Sequence, residues 1–330
     1  NDLGELTELE KQEYPTLQEI TKRKIAEIQN LLPRLDRLEE ELEHQILLIE
    51  HESDIDARKD AKNVYNQILQ QIESLVNRIN NELIALDSPY FGKIVFLPDD
   101  SKSGKPLILY IGKFALIDEK THIPLITDWR SPIANIYYEN SGPAKSVSFH
   151  APVGKRTGEL QQKRQFHISR ARIKGIYDAK SGNVAADEFL LSQLNERLGQ
   201  KLQDIVSTIQ AQQNAIIRED INHPSVIQGV AGSGKTTILL HRLAYLFYTY
   251  KDTITSENSL IIAPNQMFID YVSDVLPDLG ISKVDTQTYL FWAKSFLMWE
   301  DNYRLSNLPE DMDIKEFKGI GFIAKDGYYC

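Results

Sequence analysis

Between Ser225 and Thr237 the chain reads Ser-Val-Ile-Gln-Gly-Val-Ala-Gly-Ser-Gly-Lys-Thr-Thr, and few folds can house such a run. A short apolar strand at Val226 and Ile227 leads into Gly229, Val230, Ala231, Gly232, Ser233, Gly234, Lys235, Thr236 and Thr237, and a helix follows through His241, Arg242 and Tyr245. The spacing G-x-x-x-x-G-K-T is that of a Walker A loop, whose backbone N–H groups cradle phosphates. Gly232 and Gly234 allow positive φ and close approach to an anion. The helix N-terminus adds partial positive charge at the same point. Lys235 reaches the β and γ phosphates of a nucleotide in such a loop, and the Thr236 hydroxyl holds Mg²⁺.

The 330 residues leave room for two or three domains, with 25% charged and 42% hydrophobic side chains, as in an ordinary soluble protein. A single cysteine, Cys330, excludes an internal disulfide framework and a cysteine zinc site. No apolar run is long enough for a membrane span and no signal-peptide pattern is visible, so the cytoplasm is expected. The net charge of −10 is concentrated in residues 1–88, which carry 20 acidic and 10 basic side chains against 27 of each in 89–330. That acidic segment is repelled by nucleic-acid phosphates and attracted to a basic protein surface.

Three domains are expected. Residues 1–88 form an acidic helical hairpin: Ile28, Leu31, Leu35, Leu38, Leu42, Ile46 and Ile49 recur at spacings of three and four, and Ile68, Ile72, Leu75, Ile79, Leu83 and Leu86 repeat the pattern on return. Pro33 predicts a kink or short break, and Asp54 or Ser53 caps the second helix. The seam suits a protruding antiparallel coiled-coil arm or a dimerisation coiled coil, and Asp54 and Asp56 at its tip are candidate partner contacts.

Residues 89–180 read as a small antiparallel β-rich module, with strands at Lys93–Leu97, Leu107–Gly112, Phe114–Asp118, Ile123–Thr127, Ile133–Glu139, Ser146–His150, Arg164–Ile168 and Ile173–Tyr177. Leu116-Ile117-Asp118-Glu119 imitates a Walker B strand but reads as a strand end and turn. Lys155, Arg156, Lys163, Arg164, Arg170, Arg172 and Lys174 could follow a phosphate backbone or form a solvated or interdomain face.

Residues 181–330 read as part of a RecA-like parallel α/β domain. Helices are expected at Ala185–Arg197, Ile205–Arg218, Thr237–Tyr250 and Gln266–Leu276, with strands at Ser259–Ala263 and Val284–Tyr289. The seven histidines show no metal spacing, and His241 in an apolar helix reads as a packing or capping group.

Gln213, sixteen residues ahead of Gly229, and the run from Gly229 to Leu246 resemble the opening of a UvrD/Rep-type superfamily 1 helicase. Ile261-Ile262-Ala263-Pro264-Asn265 and Thr286-Gln287-Thr288-Tyr289 fall where that family has its next motifs. The acidic hairpin, Pro89-Tyr90-Phe91-Gly92-Lys93, Asp128-Trp129-Arg130-Ser131-Pro132-Ile133, Lys163-Arg164-Gln165 and Thr208–Asn214 narrow the resemblance to HelD, the RNA-polymerase-associated, helicase-like ATPases of Gram-positive bacteria. The resemblance implies that Gln213 recognises adenine, Lys235 binds the phosphates, Thr236 binds magnesium, and the hairpin enters the secondary channel of RNA polymerase. Thr237 stands where many relatives have arginine.

No Asp-Glu pair follows residue 236 on an apolar strand, and no second RecA-like domain with its arginine finger is present. The chain is therefore expected to be an N-terminal piece of a larger ATP hydrolase, binding ATP and Mg²⁺ weakly and hydrolysing ATP negligibly alone. Two other functions fit the same residues. One is a 3′–5′ DNA repair helicase holding DNA rather than RNA through the basic stretch, and the other is a non-catalytic nucleotide-sensing interaction module.

Overall fold

The computed structural model describes residues 7–51, 54–101, 104–118, 121, 123–152, 154–179, 205–230, 232–281 and 284–297. The helix expected at Ala185–Arg197, together with Ser53, Glu119, Ala231 and the tail 319–330, lies outside them.

Two helices open the chain, α1 (Glu8–His51) and α2 (Ile55–Asp87), packed as a hairpin. At 1.5 Å per residue, α1 is about 66 Å long. Asp54 is the N-cap of α2, its carboxylate accepting the Asp56 N–H at 2.9 Å. The break expected at Pro33 does not occur: α1 runs unbroken through Pro15 and Pro33. A proline deletes one backbone donor and crowds the preceding turn; the seam on both sides of it holds the helix, with Leu31 and Leu38 buried against Ile68, Leu75 and Ile79.

The apolar seam is shorter than the periodicity implies. Ile46 and Leu83 are exposed. At the base of the hairpin its place is taken by polar groups: Lys24, wholly buried, donates to Glu82 at 2.6 Å. Below that pair α1 leaves the hairpin core, and Leu17 and Ile20 pack with Tyr90, Leu116, Ile126, Phe166 and Ile168 of the next region. Glu13 reinforces this root, accepting from Lys93 at 2.7 Å, Arg164 at 2.6 Å and Tyr110 at 2.7 Å. Those three donors hold its carboxyl below the usual carboxylate range despite burial. Arg23 also reaches Asp118. The hairpin is thus rooted in the sheet.

Seven strands form one sheet: β1 (Gly92–Pro98), β2 (Leu107–Gly112), β3 (Leu116–Ile117), β4 (Pro124–Asp128), β5 (Ala144–Ala151), β6 (Gly154–Ser169) and β7 (Arg172–Asp178). Its order is β3-β4-β2-β1-β6-β5, with β7 also on β6. The sheet is mixed rather than antiparallel. Because β3 pairs antiparallel on the outer side of β4, β4 returns between β3 and β2 and runs parallel to β2, with Ile111 opposite Thr127. The long β6 serves β5, β1 and β7 in turn. Gly158 allows the close approach of β1, since a Cβ there would sit 2.3 Å from the Leu97 carbonyl oxygen.

Of three local expectations, one is corrected, one holds and one is narrowed. Ile133–Glu139 is not a strand but a 3₁₀ turn, Pro132–Ala134, followed by the short helix α3 (Asn135–Glu139), with proline at the first helical position. Leu116–Ile117 ends in a turn, as expected of a false Walker B: Asp118 accepts the Thr121 N–H and hydroxyl. The basic stretch is divided, because alternating strand residues face opposite ways. Lys163 is buried, donating to the carbonyls of Tyr137 and Asn140, while Arg164 is gripped by Glu13 and Asp178. Those two cannot contact a phosphate backbone.

After the sheet come a 3₁₀ turn (Ile205–Thr208), α4 (Ala211–Ile217), α5 (Lys235–Thr249), β8 (Leu260–Ala263), α6 (Gln266–Val275), β9 (Asp285–Thr288) and α7 (Tyr289–Leu297). The expected single helix Ile205–Arg218 is split at Gln210, an extended N-cap that exchanges capping bonds with Gln213. β8 and β9 pair in parallel, as the strand–helix alternation implies. Ser225–Gln228, expected as a strand, has no strand pairing, and Val226 is 83% exposed. Among the described residues no neighbouring strand accepts its ladder, so the apolar segment stays unpaired there. One core nevertheless runs from the sheet, through Phe91, Ile94, Trp129 and Tyr138, to Ile217, Ile238, Ala244 and Val272.

Candidate nucleotide site

The loop Gly229–Thr237 ends in a glycine built for its position. Gly232 has φ +80° and Gly234 φ +78°, and Gly234 is the left-handed N-cap of α5. Side chains rarely adopt that region, so these glycines are set by backbone geometry; a Cβ at either meets nothing within 4 Å. Gly229 is set by space, its hypothetical Cβ lying 2.6 Å from Ser233 Oγ. The Ser233 N–H donates to the Val230 carbonyl at 3.2 Å, closing the turn.

Lys235 folds back over this turn, donating to the carbonyls of Gly229 at 3.0 Å and Val230 at 2.7 Å. An ammonium held by two neutral carbonyls can exchange them for an anion of higher charge. The first N–H groups of α5 lack intrahelical partners by construction and point to the same side. Open glycine geometry, a cation held only by neutral carbonyls and a helix N-terminus fit a polyphosphate. Lys235 and Gly232–Gly234 would hold the phosphates, and Thr236 would hold their magnesium.

A cleft of about 420 Å³ opens beside the loop, lined by Ile209, Gln213, Ile217, Gly232, Gly234, Lys235, Thr236, Thr237, Ile238 and His241. Its size is that of a small-ligand pocket. Of the residues singled out in the sequence, Gln213, Gly232, Gly234, Lys235, Thr236 and Thr237 line it together, while Gly229, Val230 and Ser233 build the turn. Gln213 Oε1 accepts the Gln210 N–H at 3.1 Å, which leaves a carbonyl lone pair and the amide hydrogens for a ligand. Asp54 and Asp56 stand at the far end of the hairpin and take no part in the cleft.

Two arginines unremarked in the sequence hold the cleft's walls. Arg242, on the buried face of α5, donates to the carbonyls of Ile216, Ile217, Glu219 and Asp220, fixing the connection between α4 and the loop. Arg218, at the end of α4, donates to the carbonyls of Trp129, Arg130 and Ser131 and to Asn214. Burial lowers its pKa, against the smaller opposing pull of Tyr138, Tyr245 and Glu139. Asp128 in turn grips Arg130 through Nε and Nη2, and Arg130 Nη1 donates to the Leu279 carbonyl at 3.3 Å. The partners of Arg218 and Arg242 are mostly backbone carbonyls, which leave no pattern in the sequence.

His241 packs its ring edge-on against Trp129, with centroids 5.6 Å apart, and its Nδ1 lies 2.7 Å from the Thr237 carbonyl. Burial pushes its pKa down to about 4. It packs as expected, but it also lines the cleft. Among the described residues no cluster of metal-ligating side chains is present, and no helix is long and apolar enough to cross a membrane.

These features define a class: a long helical hairpin rooted in a mixed sheet, followed by a phosphate-loop segment. The family model for the DNA helicase IV HelD N-terminal domain matches residues 21–188, and the chain belongs to that family. The match covers the hairpin and the sheet, so the phosphate loop rests on its own geometry. No curated protein matches the chain.

Proposed function

We propose that the chain is the N-terminal part of an ATP-dependent, helicase-like motor that grips RNA polymerase through its acidic coiled-coil arm and promotes its release and recycling from nucleic acid. The rooted arm carries this reading. A hairpin held at its base by Glu13 and the Lys24–Glu82 pair transmits force, and its acidic face suits a basic protein channel. The phosphate loop, part of a RecA-like ATPase domain, would hold ATP with Mg²⁺ in the cytoplasm. Phosphoryl transfer additionally needs a base to orient water and an arginine from across a cleft. Residues 1–330 alone are therefore expected to bind nucleotide and release negligible phosphate.

The family's description as DNA helicase IV supports a second reading, a motor that unwinds DNA. The burial of Lys163 and Arg164 weighs against a DNA track along β6.

Removing residues 1–88 is unsuitable as a test, because Leu17 and Ile20 belong to the sheet's core. Replacing residues 35–72 with a short Gly-Ser turn keeps that root and removes the distal arm. Immobilised RNA polymerase should capture the intact chain and lose the shortened one. Equal capture of both, or tight salt-sensitive DNA binding by both, would favour the second reading.

A further inference from the structure

Among the described residues, the buried His241 Nε2 has no hydrogen-bond partner, although the residue is only 4% exposed. Its Nδ1 faces the Thr237 carbonyl, which can only accept, so Nδ1 carries the hydrogen and Nε2 presents a bare lone pair. A buried acceptor without a donor costs stability unless a ligand supplies one. The residue lines the phosphate-loop cleft, where its ring is fixed by Trp129.

The order of groups along the cleft indicates which part of a nucleotide meets it. Phosphates belong at Gly232–Thr236. His241 lies six residues beyond Lys235 on α5, about 9 Å along the helix axis. That separation suits the base of a nucleotide whose phosphates sit at the loop. Ile209, Ile217 and Ile238 supply apolar faces there, and Gln213 and His241 supply the polar edges.

We propose that His241 Nε2 accepts a hydrogen bond from the exocyclic 6-amino group of a purine nucleotide, so that His241 with Gln213 selects a 6-amino over a 6-oxo base. One amino hydrogen goes to Gln213 Oε1 and the other to His241 Nε2. A 6-oxo base turns a carbonyl toward both acceptors, leaving them unpaired. The neutral imidazole that burial enforces keeps the acceptor available at physiological pH. This inference rests on the nucleotide-binding reading of the loop.

The test is calorimetric titration of the intact 1–330 chain with Mg·ATP, Mg·GTP and the triphosphate of purine riboside, which lacks the 6-amino group. The expected result is that ATP binds about tenfold tighter than the purine analogue, and GTP no better than that analogue. His241→Asn keeps a donor on the Nδ1 side and removes the Nε2 acceptor. It should narrow the preference for ATP over the analogue, the Gln213 bond remaining, while leaving the analogue unchanged. His241→Gln, whose amide oxygen reaches the Nε2 position, should retain the preference. Equal binding of ATP and the analogue by the unmodified chain overturns the proposal without any variant having to fold. Equal weakening of both ligands in His241→Asn does the same. Lys235→Ala separates the two readings: it should weaken all three nucleotides alike. No binding, or binding indifferent to Lys235→Ala, overturns the nucleotide site and this proposal together. Lys235-dependent binding that ignores the amino group overturns the His241 assignment alone.

Discussion

Replacing Glu82 by leucine leaves the Lys24 ammonium buried without a counter-charge at the base of the hairpin. The Lys24 side chain is 0% exposed and that of Glu82 11%, with 2.6 Å between Nζ and Oε2. At that separation the gross attraction is about 6 kcal/mol for an effective dielectric of about 20. Desolvating the two ions costs several kcal/mol each, so the pair as a whole is close to neutral. Breaking it is another matter, because the penalty for the lysine remains while the attraction goes. Glu82→Leu is expected to destabilise by about 3–5 kcal/mol. The double replacement Lys24→Met with Glu82→Leu removes both penalties and is expected to be neutral or more stable than the parent. Guanidinium titration followed by helical circular dichroism reads the difference, since the two long helices dominate that signal. A single replacement costing under about 1 kcal/mol would refute the argument. So would a double replacement as damaging as the single one.

Glu13→Gln tests the root itself: it removes the charge that meets Lys93, Arg164 and Tyr110, and should cost about 2–4 kcal/mol, read as a lower melting temperature. On the acid side, the folded-state pKa of His241, about 4, lies below the ordinary histidine value of 6.5, so the unfolded chain takes up the proton first. Stability is therefore lost as pH falls from 6.5 towards 4, by up to about 3 kcal/mol. Glu13 and Asp178, both lowered, add to the loss at more acid pH. On the alkaline side, Lys163 drops to about 8 from 10.5, which raises stability between pH 8 and 10.5. Tyr90, Tyr110 and Tyr137, all raised by burial, reverse the trend above pH 10. The denaturation midpoint should thus rise from pH 8 to 10 and then fall, and Lys163→Met should flatten the rise.

The hairpin was legible because its seam repeats at helical spacing over many turns, and Asp54 announced the second helix as a capping residue. What periodicity could not show is where the seam stops. Leu83 fits the repeat yet is exposed, since the packing partner of α1 at that level is the charge pair of Lys24 with Glu82. Strands β1, β2, β5 and β7 were found near their true positions from alternation and turns. Ile133–Glu139 was misread because its β-branched and aromatic residues suit a strand, whereas Pro132 and burial of Ile136, Tyr137 and Tyr138 set a helical turn. The parallel pairing of β2 with β4 depends on a contact that no local pattern encodes.

The site divides in the same way. Gly232, Gly234, Lys235 and Thr236 are contiguous, so a motif finds them. Gln213 required a resemblance, since it reaches the cleft from a different helix. Arg218 and Arg242 escaped notice because their partners are backbone carbonyls, which carry no sequence signal.

Hydrogen–deuterium exchange across the phosphate loop, with and without Mg·ADP, tests the central claim most directly. If the backbone N–H groups of Gly232–Thr237 hold the phosphates, nucleotide should slow exchange at those amides, and Lys235→Ala should abolish the effect. Unchanged exchange in that segment at saturating nucleotide, or protection that survives Lys235→Ala, would contradict the account.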